Sequence, residues 1–508
     1  MRVTSSMMTN NMMMNVNRSM RSLMRYELMF STQRKIQVPS DNPLIAARAM
    51  KFTSNLAANE DFQNNVANGL AWMDVTEGAL DGILQVLLNE IRDILNNAHN
   101  DPRGLEGRQI MARSIRQFTD QIGHHMNAQF AGRYVFSGLR TNLPPIFTTD
   151  QPDLRFEITQ NFELRDIERT RALQVFQPEP DDQVMLPYYP QVHILKLAFN
   201  NIRTDAAGNP IIQVVGADGN PFTVIMRSQF DREATNPITG DTYPGAFNPA
   251  SIPENHVVLI QETGELVFNV DDTIGADHNF PVRVTYERHG FSRNELNPAV
   301  YFESTLLQAP TGHALFPAHQ LGQVFNGPGD NQHLIYEFSS HTTIPVNTLA
   351  RNVFTDKLFA DLNRLINFIE GIVPTDPARL RAQFENLFPE ASDYELQRKM
   401  ADHIADENQR INLAMNDRIN NMLFLIDRHS AQVRREVTDI GSRGRRLELF
   451  QNRLEQDEGS LTRLYTTNIA ADMARVATLL ATAEARYLAS VRVGVNIINV
   501  TLANFLQV

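Results

Sequence analysis

Apolar residues recur at helical spacing at both ends of this chain and at strand spacing in between. Near the start, Met13, Val16, Met20 and Leu23 follow one another at steps of three, four and three, the spacing of one helix face. Pro39-Ser40-Asp41-Asn42-Pro43 breaks that pattern, and Ser40 or Asp41 is placed to cap the next helix. From about 43 to 98 the helical period runs through Leu44, Ala47, Met50, Leu70, Met73, Leu80, Leu84, Leu87, Leu88, Ile91, Ile94 and Leu95. After a turn at Asp101-Pro102-Arg103-Gly104, a third helix is predicted over about 105–130, with Ile110, Ile115, Phe118, Ile122 and Met126 on its apolar side.

The period changes at Gly132-Arg133-Tyr134-Val135-Phe136-Ser137-Gly138. Three strand-forming residues between glycines predict a short strand. Residues 140–349 then read as β-rich. Val257 to Ile260 and Leu266 to Val270, joined by Glu262-Thr263-Gly264-Glu265, predict a hairpin. Val282, Val284 and Tyr286 alternate as a strand with one buried face, and Asp205 to Pro210 and Gly216 to Pro221 carry turn residues.

Helical spacing returns at about 353 with Leu358, Leu362, Leu365, Ile366 and Ile369. From about 393 to 458 a polar, proline-free stretch carries Ile411, Met415, Ile419, Met422, Ile426, Val433, Val437, Ile440 and Leu447 at helical positions. At ~1.5 Å per residue this is a rod of roughly 95 Å, with Gly459-Ser460 as an expected joint. The last helix repeats as Met473, Val476, Leu480, Ala483, Tyr487, Val491, Val495, Ile498, Leu502 and Phe505, mostly a three-four alternation that makes a coiled-coil seam. An isolated seam of this kind needs a partner, in this chain or in another.

Composition sharpens the division. All 25 prolines of the 508-residue chain lie between Pro39 and Pro389. Because proline breaks helix interiors, the ends are free to form long helices and the middle is not. The expected fold is therefore α+β: a long antiparallel helical bundle from both chain ends, with a β-rich domain inserted between them. The segments are an assembly helix over 1–38, rod halves over 39–139 and 350–459, the insert over 140–349 and a second assembly helix over 460–508.

Nine of the 19 methionines fall in the first 30 residues, where their adaptable side chains suit a conforming interface. The net charge of −12 argues against a general nucleic-acid binder. The absence of cysteine excludes disulfides, thiol catalysis and cysteine-ligated zinc. No membrane span or secretory-signal pattern is read, so the expectation is a cytosolic chain or one exported by a route that removes nothing. His124-His125 sit about 100° apart on a helix and cannot chelate from one face. Asp271-Asp272 and Asp205 to Gly208 lack the spaced oxygen ligands of a calcium loop. With no nucleophile elbow or phosphate-binding glycine loop, no enzyme and no cofactor is expected.

Several segments, taken in order, carry a family likeness. They are Met1-Arg2-Val3-Thr4 with Met7-Met8, Ser31-Thr32-Gln33-Arg34-Lys35-Ile36, Pro39 to Pro43, Leu70-Ala71-Trp72-Met73-Asp74 and Gly132 to Gly138. Near the C-terminus they are Ile440-Gly441-Ser442-Arg443, Arg446-Leu447-Glu448, Ile469-Ala470-Ala471-Asp472-Met473-Ala474 and Leu502-Ala503-Asn504-Phe505-Leu506. Together they resemble the hook–filament junction proteins of the bacterial flagellum, the third hook-associated proteins, which are relatives of flagellin. The likeness covers about 1–140 and 350–508. The chain departs from the family at Gln33, where Gly is common, and in an enlarged middle.

The resemblance implies a structural protein, exported through the flagellar type III apparatus without a cleaved signal and working outside the cell. Its terminal helices would order on assembly. The implied partners are neighbouring copies of the chain, a hook-associated protein on the hook side, flagellin on the filament side and an export chaperone before secretion, with no nucleic acid or membrane. The assembly interface would be Met13, Val16, Met20, Leu23, Met473, Val476, Leu480, Ala483, Tyr487, Val491, Ile498, Leu502 and Phe505. Flagellin itself is the alternative. A weaker one is a glycan-binding or adhesive role for the insert, suggested by aromatics such as Tyr188-Tyr189.

Overall fold

A computed structural model describes residues 5–100, 105–172, 190–231, 233–269, 281–327, 331–339, 341–353, 357–372 and 377–505. The fold is α+β, with long helices toward both ends and a β-rich middle. The chain forms two units. The smaller comprises residues 1–68, 337–342 and 446–508; the larger comprises 69–336 and 343–445. These units cut across the five segments expected from the proline map.

The first helix, α1, spans Ser5–Thr32, and α2 spans Pro43–Gln85. Asn42, rather than Ser40 or Asp41, caps α2: its Oδ1 accepts from Ile45 N at 3.3 Å. Pro43 follows at the first helical position, where its missing N–H would be unpaired in any case. Asp41 serves the loop instead, with Oδ2 accepting from the backbone N–H groups of Gln37 and Val38 at 2.8 and 3.1 Å. A π-helical turn at Val86–Ile91 leads into α3 (Arg92–Asn100), and α4 covers Leu105–Met126.

Strands β1 (Gln129–Phe130) and β2 (Arg133–Tyr134) form a tight hairpin about Ala131 and Gly132, both at positive φ. The strand expected over 132–138 is thus only two residues long. Val135 and Phe136 beyond it are fully buried.

A ten-stranded, mixed sheet follows. Its strands are β3 (Gln151–Phe162), β4 (Glu168–Arg171), β5 (Gln191–Lys196), β6 (Ile212–Val215) and β7 (Pro221–Arg227). The small pair β8 (Glu233–Thr235) and β9 (Thr242–Pro244) stands apart. The sheet then takes in β10 (His256–Ile260), β11 (Glu265–Phe268) and β12 (Val282–Phe291), and, after the short helix α5 (Pro298–Tyr301), β13 (Glu303–Gln308) and β14 (Val324–Phe325). The order is β14-β13-β3-β12-β6-β7-β10-β11-β5-β4. All its pairings are antiparallel except β7 with β10.

The expected hairpin is β10–β11, in register Val257↔Phe268 to Ile260↔Glu265. The expected alternation of Val282, Val284 and Tyr286 is that of β12, and all three are buried. At the expected turn over 205–210, Asp205 Oδ1 accepts from Ala207 N and Asn209 N at 2.9 and 2.8 Å. Asp271-Asp272 and Tyr188-Tyr189 lie outside the described residues.

After the hairpin β15 (Ile335–Ser339) and β16 (Thr342–Pro345) come α6 (Ala350–Val353), α7 (Lys357–Gly371), α8 (Pro377–Leu387), α9 (Asp393–Ile469) and α10 (Met473–Phe505). Leu358, Leu362, Leu365, Ile366 and Ile369 line the buried face of α7 as expected. The expected joint at Gly459-Ser460 is not a joint. The helix α9 runs through it for 77 residues in all and stops at Ile469. Within the larger unit, α7 packs on α4, and ion pairs and hydrogen bonds such as Arg92–Asp427 (2.9 Å) and Arg108–Asn412 (2.7 Å) tie α3 and α4 to α9. Among the described residues, no helix is long and apolar enough to cross a membrane.

Candidate assembly interface

The smaller unit is built on a pairing of the two chain ends. Helix α1 lies against α10, and the contact partners set their sense as antiparallel. Ser19 Oγ meets Ser490 Oγ at 3.2 Å, and Met12 lies over Gly494. A Cβ on Gly494 would stand 2.6 Å from Met12 Cε, so glycine is what lets the helices approach there.

The half-buried positions of α1 are Thr9, Met12, Val16, Ser19, Ser22, Leu23, Tyr26 and Met29, which, Ser22 apart, follow a three-four alternation as far as Tyr26. On α10 the matching line is Met473, Val476, Leu480, Ala483, Tyr487, Ser490 and Gly494. Val476 and Ala483 are its most enclosed apolar members.

The interface residues expected from the sequence divide between two faces. Val16, Leu23, Met473, Val476, Leu480, Ala483 and Tyr487 lie on the seam inside the chain. Met13 and Met20 do not, at 54% and 38% exposed, and Val491 is exposed as well. The physical reason is phase. Positions 13 and 20 repeat with the heptad but stand about a quarter turn from the line through 12, 16, 19 and 23. The side chains of Ile498, Leu502 and Phe505 are outside the described set, although α10 extends through Phe505.

A second apolar stripe therefore faces away from the pairing. Met13, Met20, Met24 and Leu28 are exposed on α1, as are Leu488, Val491 and Val495 on α10. Large exposed apolar patches accompany protein-contact, membrane-contact and ligand-binding surfaces alike. Met at four of the exposed α1 positions from 13 to 24 gives that surface side chains that reshape easily.

Sequence reasoning missed the joint that aligns the two breaks. At the end of α1, Gln33 O accepts from Ala471 N at 2.8 Å, and Lys35 N donates to Ile469 O at 2.7 Å. Arg34 and Ala470 form an antiparallel bridge between these bonds. Lys35 Nζ donates to Thr467 O at 2.9 Å, placing a cation on the carbonyl end of α9. Asp472 then restarts the helix as α10, its Oδ1 accepting from Arg475 N at 3.2 Å. One residue carries strain: Gln33 stands at φ 58, in the left-handed region.

Below the joint, α2 and α9 run side by side within the same unit. Asn468 Nδ2 donates to Ile45 O at 3.0 Å, Asn59 Nδ2 to Leu454 O at 2.9 Å and Gln63 Nε2 to Glu458 Oε2 at 2.9 Å. Asn59 is buried, so its bond to a helix carbonyl fixes the register of the two rods.

Comparison with known proteins gives the arrangement a family context. Residues 3–141 match the family model of the bacterial flagellin N-terminal helical region. The N-terminal part of this chain is thus similar to the helical region of flagellins. Flagellar hook-associated protein 3 of Escherichia coli (strain K12) is 25% identical over 146 residues, which cover 28% of this chain and 46% of that protein. The match thus spans about half the length of that curated relative. Among solved structures, a putative flagellar hook-associated protein from Vibrio parahaemolyticus is 12% identical, with a TM-score of 0.36, covering 85% of this chain and all of that one. The Xanthomonas campestris FlgL structure is 9% identical with a TM-score of 0.32, covering 82% of this chain and 99% of its own.

The matched residues contain the long N-terminal helices and the β1–β2 hairpin. The histidine pair within it takes two settings. His124 is exposed, while His125 is half-buried beside Gly82, where burial, and secondarily the charge of His124, holds its pKa below the usual imidazole value.

Proposed function

We propose that this chain is a structural subunit of the bacterial flagellum that joins the hook to the flagellin filament. The observation that carries the reading is the pairing of α1 with α10 in a chain whose residues 3–141 match the flagellin N-terminal helical region, leaving an apolar stripe on the outside of the pair. Such a stripe is unfavourable in water and favourable against the terminal helices of neighbouring copies.

In this reading the inner seam closes each subunit and the outer stripe packs subunits into a short ring. A hook-associated protein meets the ring on the hook side and flagellin on the filament side. The protein works outside the cell, after type III export without a cleaved signal and with a chaperone covering the terminal helices beforehand. The role is structural rather than enzymatic.

Deleting residues 465–508 removes α10 and tests the reading. The expected result is a chain whose larger unit still gives native circular dichroism and cooperative unfolding but which no longer assembles. A truncated chain that supports normal filaments would overturn it. The second reading, flagellin, rests on the same N-terminal match. It would be selected by purified subunits that grow long filaments unaided from their own seeds.

A further inference from the structure

A cavity of about 360 Å³ opens in the larger unit between the segment after β5, the 288–296 segment, α4 and α7. Small-molecule sites typically measure ~300–1,000 Å³. Two buried arginines line this cavity. Arg288 is 5% exposed and held on three sides. Its Nε donates to Gly290 O at 3.1 Å, its Nη2 to both carboxylate oxygens of Glu295 at 2.8 Å, and its guanidinium lies over Phe199 and Phe291 at 4.8 and 5.1 Å from their ring centres. Its buried Nη1 has no hydrogen-bond partner.

Arg364, from α7, donates through Nη2 to Leu197 O at 3.2 Å. Its Nε and Nη1 make no hydrogen bond but form ion pairs with Glu265 and Asp361 at 3.5 and 3.8 Å. The hydroxyl of Thr263, on the same wall, is also unpaired. Buried donors are almost always satisfied, so those left over beside a cavity are placed to be met by water or by a bound acceptor.

The rest of the lining narrows the acceptor. Arg293 adds positive charge, Arg116 is neutralised by Glu370 at 2.9 Å, and Asp120 and Glu295 oppose a doubly charged anion. A single carboxylate fits that balance and accepts a charge-assisted hydrogen bond from a guanidinium N–H. Asn200, Asn363 and Asn367 offer amides that both donate and accept, the requirement for binding neighbouring hydroxyls.

We propose that this cavity binds an acidic sugar, with its carboxylate received by the unpaired Nη1 of Arg288 and the Thr263 hydroxyl and its own hydroxyls by the asparagine amides. The site is independent of the terminal helices and of the flagellar role.

Calorimetric titration of the full chain with glucuronate, galacturonate, glucose and inorganic phosphate tests it. One uronate is expected to bind at a single site, with glucose weaker by about tenfold or more, the size of one lost charged hydrogen bond. Arg288→Gln is expected to abolish binding. Because a buried arginine also supports the fold, the deciding variant is Asn363→Ala with Asn367→Ala, two exposed positions on α7. It should keep native circular dichroism and lose uronate affinity by about tenfold. Binding of neither uronate, phosphate binding as tightly as uronate, or an unchanged uronate affinity in the double variant would each overturn the proposal.

Discussion

Lys35 and Ile469 face each other where two helices stop. The amide of Lys35 donates to Ile469 O at 2.7 Å, and its ammonium reaches back to Thr467 O at 2.9 Å. The end of α1 and the end of α9 are thereby satisfied by one another instead of by water. The resulting joint is specified on both sides: a basic residue for the carbonyl end, and an aspartate, Asp472, to restart the helix.

The joint contains one strained residue, and relieving it should stabilise the protein. Gln33 sits at φ 58, where a residue with a Cβ is disfavoured by about 1–2 kcal/mol and glycine is not. Gln33→Gly also gives the unfolded chain more freedom, which offsets part of the gain. The net expectation is about 0.5–1 kcal/mol of added stability, read as a higher urea midpoint at unchanged slope. A lower midpoint would show that the left-handed turn is not a source of strain.

Close approach of α1 and α10 depends on Gly494. A leucine there would drive into Met12, whose Cε lies 2.6 Å from the place of a Cβ. Gly494→Leu should separate the pair and expose Tyr487 to quenchers of its fluorescence. Restoring space with Met12→Ala in a Gly494→Ala background should largely recover the pairing. A Gly494→Leu chain indistinguishable from its parent would contradict the antiparallel register of α1 and α10.

The outer stripe predicts a separation of stability from assembly. Met13→Glu with Met20→Glu changes two exposed side chains, so the melting temperature of the isolated subunit should move by no more than about 0.5 kcal/mol equivalent. Self-association, followed by sedimentation or light scattering, should be lost. A large drop in melting temperature would place these residues inside the subunit; undiminished assembly would leave the stripe without a role.

Acid should loosen the larger unit through Asp361. Burial alone would raise this carboxyl's pKa. The Lys196 ammonium at 3.1 Å, a hydrogen bond with His429 at 3.3 Å and the nearby Arg364 outweigh burial and lower it from 3.8 to about 2. A depressed folded-state pKa adds stability above the unfolded value, and that stability is lost as the pH falls from about 4 to about 2. The amount is about 2 kcal/mol. Asp361→Asn should flatten the stability profile in that window and, by leaving Lys196 with Glu168 alone, cost about 3–5 kcal/mol at neutral pH. A profile unchanged by the substitution would contradict this assignment.

The helices and the β10–β11 hairpin were legible in the sequence because their signals are local: a repeat of 3.5 or 3.6 residues, or alternation about a glycine turn. Pairing across the chain was less so. The three-four repeat in α1 is carried by Thr9, Met12 and Ser19 as much as by Val16 and Leu23, and an apolar count selected Met13 and Met20 instead. Gly459 looked like a joint, yet α9 passes through it, since one glycine costs a packed helix only about 1 kcal/mol. The real break at Ala470 and Ala471 has no glycine or proline, because it is imposed by backbone bonds from residues over 400 positions away. The arginine cavity was invisible for the same reason: Arg288 and Arg364 meet it from a strand and a helix distant in sequence.

The proposed junction role is tested most directly by electron microscopy of cells lacking this chain. A junction role predicts hooks that end bare, with flagellin released into the medium, and filaments restored when the intact chain is supplied. Normal filaments on the hooks of such cells would contradict it.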